Sequence, residues 1–228
     1  MIAPPPFEDI AQARKSVRKY KPDPVPLATV QRILETARTA PSGANLQPGR
    51  FVAMTGQPLR DFCDTLMVAI DDGLNVTEAY SYFPEPMPKY LRQRQIKAGA
   101  DLYTALGIDR KDADARRRQF MRNFRFFDAP VGIIATIDAR MGKGCFMDFG
   151  MMLQTLLLAA QAEGLASCGI GAMSMYGPFI AEQLGFDEHD MVVCGVALGY
   201  EDTEAPANNF RTDRISLEQF ARFEGWDR

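Results

Sequence analysis

The chain has a single histidine, His189, among its 228 residues. That excludes zinc sites built on several imidazoles and leaves a serine triad no second imidazole to use. The four cysteines, Cys63, Cys145, Cys168 and Cys194, form no Cys-x-x-Cys pair, and three lie in apolar runs. They read as reduced core thiols of a reducing compartment, not as a disulfide framework or a metal site. Positive charge is not in excess: 26 Lys and Arg against 29 Asp and Glu leave a formal −3, which argues against a nucleic-acid binder. The most apolar stretch, around 149–160, is short for a membrane span and carries Gln154. The opening Met-Ile-Ala-Pro-Pro-Pro-Phe lacks the basic-then-apolar order of a secretory signal, so a cytoplasmic protein is expected. Also missing are a Gly-x-Ser-x-Gly elbow, a Walker lysine and a Rossmann fingerprint; Gly169-Ile170-Gly171 has no third glycine in register.

What is present alternates between helical and extended patterns, with helices predominating, and predicts an α+β fold. A short helix over 7–14 is expected to end at a basic knot, and Pro22 and Pro24 keep the following residues extended. Pro26 opens a second helix, in which Val30, Ile33, Leu34 and Ala37 make a core-facing stripe. Phe51–Met54, Val131–Ile137 and Met191–Tyr200 read as strands, and 58–70 as a helix. The longest helix, 146–163, is apolar nearly all round and should run through the centre, with Gly164 as its stop. Ser167–Ser174 reads as a small-residue turn, 177–185 as a helix, and 216–223 as a short tail helix. The region 73–128 is less regular, aromatic and proline-rich at 80–90, with helices over 90–106 and 110–125. It reads as a covering lid inserted into one domain that spans 1–228.

Four separated segments share a chemical character. Arg14-Lys15-Ser16-Val17-Arg18 places three cations and a hydroxyl within five residues. By itself this fits a solvated basic turn, but Arg forks and a Ser hydroxyl also suit a phosphate held in one orientation. The loop Pro41-Ser42-Gly43-Ala44-Asn45-Leu46-Gln47-Pro48 and the glycine turn at 169–174 offer backbone N–H groups and small side chains; Arg211 and Arg214 offer cations again. Such a set suits a planar, phosphorylated organic cofactor that carries the chemistry itself, with no metal.

The segments from Arg14 to Tyr20 and from Pro41 to Pro48 resemble the opening signature of the FMN-dependent nitroreductase family. Asp148 to Gly164, Gly169-Ile170-Gly171, Ala197-Leu198-Gly199-Tyr200 and Arg211 to Leu217 follow in that family's order. The stretch 90–130, with Leu102-Tyr103 and Asn123 to Phe127, resembles the branch that reduces nitrobenzoates and other nitroaromatics. The resemblance implies a sandwich with a central, mainly antiparallel sheet flanked by helices, in an intertwined homodimer whose tails (201–228) wrap the partner. It implies FMN at the interface and NADPH or NADH as electron donor. Arg14, Lys15, Ser16, Arg18, Arg211 and Arg214 are then the contacts to the phosphate, ribityl chain and ring edge. Pro41, Ser42, Gly43, Asn45 and Gln47 reach the flavin from the partner. Gly169, Ile170, Gly171 and Ala172 form the turn over the ring, with the Gly171 N–H toward N5. Tyr80, Tyr82, Phe83, Phe124 and Phe127 are the implied substrate walls, with core packing as the alternative for each. The reaction implied is two-electron reduction of nitroaromatics. Flavin, quinone or enone reduction and reductive dehalogenation are the alternatives on the same scaffold. Two departures stand out: Gly49 where many relatives carry tryptophan, which implies either changed loop packing or room for a larger substrate, and Gly171 where some carry glutamate, which leaves backbone as the N5 partner.

Overall fold

A computed structural model describes residues 6–226, so most of the Met1–Phe7 stretch read above for a secretory signal lies outside the described residues. In chain order the elements are α1 (Phe7–Ala13), α2 (Leu27–Ala37), β1 (Gly49–Thr55), α3 (Gly56–Asp71), α4 (Lys89–Ala105), α5 (Ala113–Met121), β2 (Val131–Asp138), α6 (Lys143–Ala162), β3 (Ala166–Ile170), α7 (Gly177–Leu184), β4 (Asp190–Gly199) and α8 (Leu217–Phe220). The fold is α+β. Its one sheet has the order β1-β2-β4-β3, and every pair is antiparallel.

β2 and β4 are buried on both faces, and alternate residues feed two cores. Ile133 and Val196 point to one face, where they meet Val30, Ile33, Leu156 and Ala160 of α2 and α6. Ile134 and Ala197 point to the other, with Leu59, Phe62 and Leu66 of α3 and Ile180 of α7. Phe126 fills this second core, and two glycines make way for it. A Cβ on Gly132 would lie 2.8 Å from its ring, and one on Gly195 3.0 Å.

Four elements differ from the sequence reading. Residues 167–170 are not a turn but most of β3, because pairing with β4 on one side outweighs the weak strand preference of Ala-Ser-Cys-Gly. The tight turn follows at Gly171–Tyr176. The basic helix stops at Met121, not 125, where a 3-10 segment, Arg122–Asp128, takes over and then breaks at Arg125 and at the positive φ of Phe126 and Phe127. The tail helix is one turn, Leu217–Phe220, capped by the Ser216 hydroxyl. α6 begins at Lys143, earlier than expected, and its 20 residues are long and apolar enough to cross a membrane by length and composition. Here it packs on α2 and β3 instead, with Leu156 and Ala160 fully buried.

The β2–β4 ladder slips by one residue. Ala135 pairs with Cys194 and Thr136 with Val192, so Val193 faces no partner in β2, and β3 pairing begins only at Gly195. This β-bulge leaves the Val193 carbonyl free for another donor. The Tyr80 hydroxyl supplies it at 2.7 Å.

Candidate functional site

The basic knot runs beside the sheet edge. Ser16 bridges Ser167 of β3, and the Val17 N–H donates to the Ser167 carbonyl at 3.1 Å. Val17 and Tyr20 are buried, and the Tyr20 hydroxyl donates to the Val17 carbonyl at 2.8 Å. Alternation then turns the flanking cations outward. Arg14, Lys15, Ser16 and Arg18 line a hollow of about 290 Å³, closed on the far side by Phe210, Arg211 and Arg214.

The cations do not play equal parts. Lys15 Nζ is neutralised, 2.7 Å from Glu201 Oε1, and donates to the Asn208 carbonyl at 2.7 Å. Arg211 caps the end of α1, donating to the carbonyls of Gln12 and Ala13. Arg214 holds the backbone of its own turn at Thr212 and Asp213. Arg14 is half-buried, and its guanidinium sits below its ordinary range, first because of burial and then because the Arg214 and Arg211 cations are close. Four arginines thus line one hollow, three of them close enough to feel one another, which is the donor set an oxyanion such as phosphate satisfies.

Asn208, buried in the tail, is the residue that sequence reasoning missed. Its Oδ1 accepts from the Arg18 N–H at 2.8 Å, and its Nδ2 donates to the carbonyls of Lys19 and Asp202 at 2.8 and 2.9 Å. It ties the knot to a segment 190 residues further on. Nothing in Ala205-Pro206-Ala207-Asn208 marks it beforehand.

β3 leads from this hollow to a second one. Gly171 lies four positions beyond Ser167, about 13 Å of extended chain. Gly171 and Ala172 line a hollow of about 810 Å³ together with Tyr82, Phe83, Phe120 and Met175. A Cβ on Gly169 would meet nothing within 4 Å, so the backbone there is open to a flat ligand. At Gly171 a Cβ would lie 2.8 Å from the Tyr82 ring, so the missing side chain lets Tyr82 pack on the turn. Thr77 N–H donates to the Met175 carbonyl at 2.8 Å, and Tyr80 holds Val193. Burial pushes the Tyr80 phenol up to about 12.

The implied substrate walls therefore divide. Tyr82 and Phe83 line the hollow. Tyr80 is an anchor behind it, packed at a tilt against Phe146. Phe124 and Phe127 lie in the core at 0% and 2% exposure; the wall from that region is Phe120, one helical turn before Phe124.

The loop 41–48 lines neither hollow. It is nevertheless held in shape, with Ala44, Asn45 and Gln47 at positive φ. The Gly43 N–H donates to buried Asp148 Oδ2 at 3.1 Å, and the Gln47 N–H to Ser42 Oγ at 3.0 Å. Pro41, Ser42, Gly43, Asn45 and Gln47 thus present polar groups away from their own chain's hollows. At Gly49 the packing alternative fits: a Cβ would lie 2.9 Å from Met152 Sδ and 3.0 Å from the Phe149 ring, so α6 fills the space beside the loop. Among the described residues no group of three His, Cys, Asp or Glu side chains is placed to hold a metal ion.

Residues 11–200 match the model of the nitroreductase family. The chain belongs to that family. It is 34% identical over 222 residues to a 4-nitrobenzoate reductase of Pseudomonas putida, with 97% of each chain covered. It is 36% identical over 225 residues to a chloronitrobenzene nitroreductase of Comamonas testosteroni, covering 98% of this chain and 99% of the other. Among solved structures it resembles the FMN and NADPH-dependent nitroreductase NfnB from Sphigopyxis sp. strain HMH. That match has a TM-score of 0.94 and 33% identity, over 97% of this chain and 100% of NfnB. For a nitroreductase the division of labour between the hollows follows from their chemistry: one gathers cations, the other offers aromatic walls beside open glycine backbone.

Proposed function

We propose that the protein is an FMN-dependent NAD(P)H oxidoreductase that reduces nitroaromatic compounds in two-electron steps, from nitro to nitroso to hydroxylamine. Donor and acceptor use one site in turn. The observation that carries this reading is the spacing along β3: crowded guanidiniums at one end, a glycine turn under a hollow with aromatic walls at the other. An elongated ligand with a phosphate at one end and a flat ring at the other fits that arrangement. When bound, FMN supplies the hydride chemistry.

The chain's own residues hold and orient. Arg14, Arg211 and Arg214 take the phosphate; Ser16 and Arg18 take the ribityl chain and ring edge. Lys15, already paired with Glu201, sets the position of the knot. Gly169 and Ile170 carry the backbone past the ring to Ala172, and the Gly171 N–H is the donor assigned to N5. Tyr82 and Phe83 wall the substrate. No side-chain base is required, in keeping with one histidine.

The site is completed in a homodimer, where Pro41, Ser42, Gly43, Asn45 and Gln47 come from the partner. Support comes from that loop lining neither hollow of its own chain, and from a tail that leaves Leu217, Phe220, Phe223 and Trp226 exposed. Residues 73–128 act as lid and 201–228 as the wrapping tail of one domain, in the cytoplasm.

Purified protein is expected to be yellow and to release FMN, not FAD, on denaturation. It should oxidise NAD(P)H faster with a nitrobenzoate than with a quinone or an iodophenol. Arg14→Ala should weaken FMN binding by about 10- to 100-fold, the loss of one charge-assisted set of hydrogen bonds. A colourless protein that takes up no added FMN overturns the reading.

A further inference from the structure

The larger hollow carries one cation whose partner is unlike those of its neighbours. α4 presents Arg92, Arg94 and Lys97 in succession. Arg94 lies over the Tyr90 ring, 5.4 Å from its centroid, and Lys97 pairs with Asp101 and Asp213 at 2.8 and 3.0 Å. Arg92 instead lines the hollow with Gln95 beside it. Its Nη1 donates to Gln95 Oε1 at 3.0 Å, which orients the guanidinium and leaves its other donors for a ligand. None of the ion pairs among the described residues includes it. Glu78 and Glu85 line the same hollow, and neither pairs with Arg92.

We propose that Arg92 is the anion clamp of the substrate site and selects carboxylated nitroarenes over neutral ones. This rests on the nitroreductase reading above. A guanidinium fork matches the two oxygens of a carboxylate, where a lysine would offer a point charge. With the carboxylate at α4 and the nitro group at the Gly171 turn, the ring lies along Tyr82, Phe83 and Phe120. Glu78 and Glu85 oppose an anion in this hollow, so the preference for a carboxylate depends on this one side chain. The phosphates of the nicotinamide donor share the same chemistry, and the test separates the two sources.

The holoenzyme and its Arg92→Gln and Arg92→Lys variants are assayed with 4-nitrobenzoate, nitrobenzene and NADPH. Both replacements favour helix and leave α4 intact. The ratio of kcat/KM for 4-nitrobenzoate to that for nitrobenzene should fall about tenfold or more in Arg92→Gln, through KM, and recover in part in Arg92→Lys. Binding of non-reducible benzoate, read from the flavin absorbance, should weaken by the same factor. An unchanged ratio with unchanged benzoate binding overturns the proposal, as does a rise confined to the KM for NADPH. If the FMN-loaded protein reduces neither nitroarene, the nitroreductase reading fails, and the benzoate titration still decides the role of Arg92.

Discussion

Around the small hollow, polar atoms are tied to partners nearly two hundred residues away in sequence, whereas the large hollow is walled by side chains that touch solvent. Arg18 and Lys15 meet Asn208 across separations of 190 and 193 residues. Tyr82 and Phe83, by contrast, are 55% and 51% exposed and meet each other edge to face. The knot is therefore positioned by the folded chain as a whole, and its geometry stands or falls with global stability. The 77–83 segment that carries these walls is tied down by two hydrogen bonds, at Thr77 and Tyr80. A ligand common to every turnover belongs in the first kind of site, and a ligand that differs between relatives in the second.

Three substitutions sharpen that contrast. Asn208→Ala should do the most harm, because Arg18, Lys19 and Asp202 would each lose a buried partner. A loss of about 3 kcal/mol or more in denaturant unfolding is expected, with FMN released alongside. A variant that kept both would show that the knot is held by something other than the tail. Tyr80→Phe strands the Val193 carbonyl but keeps the ring on Phe146. We expect about 1 kcal/mol, and proteolysis confined to the 77–88 segment becoming faster while the sheet stays protected from hydrogen exchange. Loss of protection in β4 would mean that lid and sheet open together. Phe83→Ala should leave the unfolding midpoint within about 0.5 kcal/mol of wild type and act on the KM for the nitroarene alone. A large stability loss there would erase the distinction between the two regions.

Much of this was legible beforehand. The stripe of Val30, Ile33 and Ala37, the buried β2 and β4 runs, and the central apolar helix are patterns of period and length, and all reappear in the cores. The cations of the knot were legible as a cluster because they are local in sequence. Asn208 was not, because its importance lies in pairings that no neighbouring residue announces. β3 was hidden by small residues whose strand state comes from β4, not from their own preference. For Phe124 and Phe127 the core-packing alternative holds, and sequence could not separate it from a wall because aromatic residues look alike there. Positive φ at Phe126 and Phe127 turns the chain inward, while Phe120, on the preceding helix, faces out to the hollow.

The slipped register at Val193 has an evolutionary side. A sheet with every acceptor engaged has nothing to lend an appended segment, and an insertion would have to break a ladder bond to be moored. Here the one surplus residue in β4 leaves a mooring point that costs the ladder nothing, and Tyr80 uses it. Lids of new length and composition can be tried on such a scaffold, provided each brings one hydroxyl to that carbonyl.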